Sequence, residues 1–439
     1  MMKDCDTARV DRRKFLRTTA SAFSASAFLQ LLECRNEAGT TAPAATQLTS
    51  GGDPDQLFRS GRFAEADWGY KRVLAGDPKN VHALARRGLI ALLSNKFAKT
   101  EHFLHKAIRL APEDNALKLW LADCFVRQDD FARAVPLLRD AGNQANADQY
   151  DSIAGEPYEI CGAMATRLPF LVTDPTPVVE AAVNGIAAAF TLDTGATLAI
   201  NSETARAAGI REVAVTTPNV GFPFTFHLGV MDSFQLAGIE LRNVPILWHD
   251  LPIPPIPGLE KQPVGAIGTT IFYHFLSTMD FANGALILRR KTNAQLWAFQ
   301  AEAISAGATT APLWMAPDHF LFSRGSINDF GPALFAVDTG GPGVGVAMTA
   351  EIAAKAGVVP DYTKPREFRG PGFDVTVYPC VADVSLGTVV RRDLPGIVGP
   401  LPSAAGFFGF ESIGTISHEF FRPLAVTFDF VNMTMYIRN

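Results

Sequence analysis

The tripeptide Asp-Thr-Gly occurs twice in this chain, at Asp193-Thr194-Gly195 and at Asp338-Thr339-Gly340, each time at the end of an apolar run. The likeness extends on both sides. Phe190-Thr191-Leu192 precedes the first triplet and Phe335-Ala336-Val337 the second, and each is followed by an Ala-rich helical stretch ending at Gly209 or Gly357. Farther on, Leu236 to Pro245 corresponds to Leu386 to Pro395, and Gly265-Ala266-Ile267-Gly268 stands in register with Gly414-Thr415-Ile416-Ser417. Asp280-Phe281-Ala282-Asn283 likewise matches Asp429-Phe430-Val431-Asn432. The offset stays between 145 and 150 residues throughout, so the chain carries an internal duplication and must build two like units.

Each unit reads as β structure. Val178 to Val183, the turn Asn184-Gly185 and Ile186 to Leu192 form a hairpin pattern, because Asn-Gly supplies the positive φ angles of a two-residue turn. In the second unit His319 to Ser323, a polar turn around Gly325 and Asn328, and Ala333 to Val337 lead into Asp338. A single aspartate after a strand often only caps nearby N–H groups. Two in register call for a joint role. Asp280 and Asp429 fall at a hairpin turn before a last strand and are expected to be structural.

Over residues 157 to 439 these features resemble the aspartic peptidases, and the retropepsin-like lobes more than the longer pepsin lobes. The resemblance implies a bilobal, mainly-β fold whose two Asp-Thr-Gly loops meet across an approximate two-fold axis. It makes Asp193 and Asp338 the catalytic carboxylates, which share a proton because two adjacent like charges do not both ionise cheaply. It further implies that Thr194 and Thr339 cross-link the loops and that Gly195, Ala196, Gly340 and Gly341 shape them. Gly265, Gly268, Gly414 and Ser417 would lie in the segments beneath. The implied ligand is a peptide or protein substrate, with no cofactor and no metal.

The second unit departs from this pattern. Ser417 replaces a glycine and is expected to crowd the loop above it, and Gly341-Pro342-Gly343 lengthens that loop. Candidate flaps are Pro218 to Phe226 and Phe368 to Phe373. The alternatives to an endopeptidase are a non-catalytic peptide-binding protein on the same scaffold and a site assembled from two chains. The short join between the units, 293–311, favours a complete site in one monomer.

The N-terminal third follows another rule. Phe63, Phe97 and Phe131 are 34 residues apart, as are Ala64, Ala98 and Ala132, and Pro78 recurs as Pro112. A period of this length marks stacked helical units, none of which buries its apolar face alone. The pattern resembles tetratricopeptide repeats, with Ala66, Gly88 and Ala107 at positions where small residues let helices approach. Such an array either docks a protein partner or caps the neighbouring domain. His102 and His105 share a helix face, but no third ligand follows, so a solvated pair is expected.

Residues 1–44 read as an export signal. Asp11-Arg12-Arg13-Lys14-Phe15-Leu16 precedes a weakly apolar stretch, and Ala42-Pro43-Ala44 supplies small residues before a cleavage point. This resembles a bacterial twin-arginine signal and implies a periplasmic or extracellular protein. The alternative is a basic amphipathic helix that stays attached. Without this segment 32 Lys/Arg stand against 39 Asp/Glu, with no basic cluster, which excludes nucleic acid as a partner. No later run reaches the roughly 18 apolar residues of a membrane span. Cys124, Cys161 and Cys380 are widely spaced and imply no disulfide framework.

The expected organisation is therefore export signal 1–44, linker 45–52, helical repeats 53–142, linker 143–156, first lobe 157–292, connection 293–311 and second lobe 312–439.

Overall fold

The computed structural model describes residues 52–217, 225–250, 253, 255–341, 343–370, 373–400 and 404–438. The expected export signal and the first flap candidate, apart from Thr225 and Phe226, lie outside them. A helical array comes first. Its helices are Pro54–Arg59, Phe63–Gly76, Val81–Leu93, Phe97–Leu110, Asn115–Val126 and Phe131–Asp140. Polar residues after the two prolines start new helices, with the Asn80 side chain accepting from Ala83 N and that of Asp114 from Ala116 N. Gly88 lies so close to Leu104 that a Cβ there would come within 2.5 Å of its side chain, while Ala66 and Ala107 are fully buried.

The stretch 143–156 is more than a linker. Helix Gln144–Asp151 forms there, capped by Asn143, and Gln149 is buried with its amide donating to Gly229 O and Ile246 O. No apolar period announces this helix, because an alanine and a hydrogen-bonded amide do the docking. The connection 293–311 likewise contains helix Asn293–Ser305, whose Leu296, Phe299 and Ala303 pack on Leu276.

The two lobes share one strand plan. In the first, Ile186–Asp193 pairs with hairpin partner Val178–Val183 on one side and runs parallel to Pro263–Gly268 on the other. The latter is antiparallel to Ala199–Asn201, which is parallel to Ile239–His249. In the second, Phe330–Val337 lies between Phe320–Ile327 and Thr415–Ile416, followed by Val346–Met348 and Val389–Val398 with the same relative directions. Both sheets curl closed: Phe226–Leu236 pairs with Val178–Val183 as well as Ile239–His249, and Phe373–Leu386 pairs with Phe320–Ile327 as well as Val389–Val398. In the second flap candidate Phe368, Arg369 and Gly370 pair antiparallel with Val375, Asp374 and Phe373, while residues 371 and 372 lie outside the described residues.

A third, six-stranded sheet joins the lobes. At its centre Phe275–Asp280 from one lobe pairs antiparallel with Ala425–Asp429 from the other, and the hydroxyls of Thr278 and Thr427 meet at 2.7 Å. Asp280 and Asp429 accept N–H bonds from the turns that follow them, the structural role expected of the motif.

The helical array shares a hydrophobic core with the second lobe. Phe58 and Phe63 pack edge-on against Phe410, and this aromatic cluster continues through Phe322 and Phe408. Arg127 reinforces it by donating to Met315 O, and Asp129, bonded to His274, ties the array to the first lobe as well. No helix among the described residues is long and apolar enough to cross a membrane.

Candidate active site

Both Asp-Thr-Gly loops begin where a central strand leaves its parallel neighbour, and they meet between the lobes. The carboxyls of Asp193 and Asp338 are each other's side-chain hydrogen-bond partners. Each is also held by its own loop: Gly195 N donates to Asp193 Oδ1 and Gly340 N to Asp338 Oδ1, both over 2.8 Å. The fit requires glycine. A Cβ on Gly340 would stand 2.2 Å from the Asp193 carboxyl carbon, and one on Gly195 would stand 2.7 Å from that of Asp338.

The threonines cross between loops. Thr194 N donates to Thr339 Oγ1 over 3.1 Å, and Thr339 N donates to Thr194 Oγ1 over 3.0 Å. The Thr194 hydroxyl donates in turn to Val337 O in the opposite lobe. Both side chains are fully buried, so these bonds are made where water does not compete.

Beneath the loops lie the glycine-bearing segments. Gly268 has no room for a side chain, since a Cβ would approach Ala196 O to 1.9 Å, and the neighbouring Thr269 donates to Thr194 O. Gly265 is equally tight against Ala199 O, and Gly414 adopts a φ of 153° beside Ala347 O. Ser417 does not crowd its loop. The altered second loop leaves room for its hydroxyl, which donates to Asp338 O and accepts from Gly341 N.

Burial and the charge of Asp338 push the Asp193 carboxyl well above the usual range. Burial raises Asp338 too, but the bond from Asp193, the Gly340 N–H and the charge of His319 favour its ionised form. Burial raises both carboxyls, so the pair shares a proton and titrates as a unit.

Three residues around the site carry no motif signature. Thr269 has its partner only in three dimensions, Asp318 adjoins its partner His319 but belongs to no motif, and His319 reads in sequence as the start of a strand. His319 is buried, with Nε2 3.3 Å from Gly195 O and Nδ1 against the Asp318 carboxylate. Among the described residues, one group brings potential metal ligands together, Asp174, His418 and Glu419. There Arg422 pairs with Asp174 at 3.2 Å and Glu419 at 3.3 Å, so a guanidinium already supplies the positive charge.

Comparison with known proteins agrees with this geometry. Residues 179–271 match the family model described as aspartyl protease, and residues 91–154 match that of the tetratricopeptide repeat. The chain thus carries an aspartyl-protease-type β-rich region preceded by a tetratricopeptide-type helical array. No curated protein matches the sequence.

Among solved structures it is similar to an O-GlcNAc transferase mutant from Thermobaculum terrenum, at 18% identity over 30% of this chain, with a TM-score of 0.22. The match spans only 24% of that transferase. A retropepsin-like aspartic protease from Rickettsia conorii is 17% identical over 30% of this chain and 94% of its own, with a TM-score of 0.21. The aspartic proteinase from Irpex lacteus is 11% identical over 63% of this chain and 97% of its own, with a TM-score of 0.37.

Proposed function

We propose that this protein is an aspartic endopeptidase that hydrolyses peptide bonds with water activated by Asp193 and Asp338. The observation that carries the reading is the hydrogen-bonded carboxyl pair, locked by the crossed Thr194 and Thr339 bonds. A water between the carboxyls would give a proton to ionised Asp338 as it attacks the peptide carbonyl, while Asp193 donates its proton to the carbonyl oxygen. The tetrahedral intermediate then collapses as the leaving amine takes a proton from the pair. One chain supplies both aspartates, so the reading needs only a monomer.

In this reading the helical array first braces the peptidase, since its aromatic face is spent on the second lobe. A role in docking a protein substrate belongs to the faces that the lobes leave open. The Arg12-Arg13 leader supports export and action outside the cytoplasm.

The test is cleavage of a denatured protein mixture between pH 3 and 7 by wild type, Asp193→Asn and Asp338→Asn. Activity in wild type that both variants lose, and that a statine-type inhibitor blocks, supports the peptidase. A wild-type protein that binds peptides without cleaving them at any pH in the range supports the peptide-binding alternative.

A further inference from the structure

The duplicated halves are not equivalent around the carboxyl pair. Pairing of Leu321 with Val337, and the bond from Leu192 N to Pro177 O, place Leu321 opposite Pro177 in the duplication. Counting back two residues sets His319 of the second lobe against Pro175 of the first. A residue with two hydrogen-bonding nitrogens and a possible charge thus stands on one side, and an inert ring on the other.

His319 has an acceptor at each nitrogen. A carbonyl oxygen, that of Gly195 in the opposite lobe, lies at Nε2, and the Asp318 carboxylate lies at Nδ1. Both contacts are satisfied together only when both nitrogens carry protons, which is the imidazolium form. Asp318 suits that role. Desolvation opposes ionisation even though the Asp318 side chain is 60% exposed, but the charge and hydrogen bond of His319 outweigh it and hold Asp318 below the usual carboxylate range. From the helical array Asp123 and Arg127 also face this pair, bound to each other at 2.6 Å; burial lifts the Asp123 carboxyl to about 6, so their charges cancel above that pH and Arg127 adds positive charge below it. On the remaining side the charge of His319 acts on Asp338.

We propose that His319 is a positioning residue for the carboxyl pair: gripped by Asp318, its imidazolium fixes the Gly195 carbonyl and makes Asp338 the ionised partner. The inference rests on the peptidase reading for its catalytic meaning, but its electrostatic content stands apart from turnover. The repeat array enters the same arrangement, because Arg127 ties Met315 O, three residues before Asp318, to the helices.

Two variants separate charge from hydrogen bonding. His319→Gln keeps an amide donor toward Gly195 O without the charge, and His319→Phe removes both. In the full chain labelled with ¹³C at aspartate carboxyls, the lower of the two titration steps of the pair should rise by about one pH unit in both variants. Where wild type cleaves, kcat/KM on the acid limb should fall about tenfold in His319→Gln with KM little changed. A lower step that stays in place in His319→Gln overturns the proposal, including the case in which only His319→Phe is impaired, for then the hydrogen bond alone matters. The carboxyl titration reads the pair whether or not a substrate is cut, so an inactive wild type counts against the peptidase reading and leaves this one decided by the spectra.

Discussion

Gly341 donates its N–H to the hydroxyl of Ser417 over 2.9 Å, and the same hydroxyl donates to Asp338 O over 2.5 Å. In the first lobe the corresponding positions are Ala196 and Gly268, so the side chain and the hydrogen have changed places across one contact. A Cβ on Gly341 would lie 2.3 Å from Ser417 Oγ, just as one on Gly268 would strike Ala196 O. Gly341→Ala alone is expected to destabilise the protein by about 1–3 kcal/mol through overpacking. Adding Ser417→Gly should recover part of that loss, and denaturant melts of the two single variants and the double variant measure the coupling.

The crossed threonines give a second expectation. Thr194→Val leaves the Thr339 N–H buried without an acceptor, a cost of about 1–3 kcal/mol. Thr339→Val does the same to Thr194 N. Thermal melts should show both losses, and cleavage should fall more than stability because the loops lose their register.

Asp193 makes the protein pay for its site at neutral pH. A carboxyl whose pKa rises on folding lends stability while protonated, fully so below its unfolded value of 3.8, and loses it as the pH climbs toward the raised folded value. Asp193→Asn cannot ionise. It is expected to match wild type near pH 3 and to exceed it at pH 7 by about 1–2 kcal/mol, while cleavage disappears. Urea melts at the two pH values provide the check.

His418 sets the opposite slope. It is fully buried with neither ring nitrogen hydrogen-bonded, and burial lowers its pKa from 6.5 to about 4. The unfolded chain therefore binds a proton first, and stability drains away as the pH falls from 6.5 toward about 4. His418→Leu should remove this part of the slope, at most about 3 kcal/mol, and melts at pH 7 and 4.5 will show whether the acid sensitivity shrinks.

The array and the second lobe share one core, so damage on either side should be felt by both. Phe410→Ala is expected to cost about 3–5 kcal/mol, since Phe410 is fully buried against Phe58, Phe63 and Phe322. A single unfolding transition that shifts as a whole would show the coupling; an array that melts separately at its wild-type temperature would contradict it.

Sequence reading went furthest where the chain repeats itself. The 34-residue period and the duplication near 145–150 announce stacked helices and paired β units, because periodicity is a local property that each segment carries alone. The docking helix Gln144–Asp151 stayed hidden, since Gln149 gains its stability from carbonyls of Gly229 and Ile246 that lie 80 and 97 residues away. The expectation that Ser417 crowds its loop fails for a related reason. Whether a side chain crowds or fills depends on the loop opposite, which only the folded chain brings near.

By itself the sequence determined that Asp193 and Asp338 would be equivalent members of a duplicated pair, each with its threonine and glycine. Only the tertiary structure gave them their unlike buried surroundings. His319 reaches Gly195 from the other lobe, and Pro175 stands where its counterpart would be. The field at a buried carboxyl is set by the charges gathered around it from distant parts of the chain, and these a motif does not record.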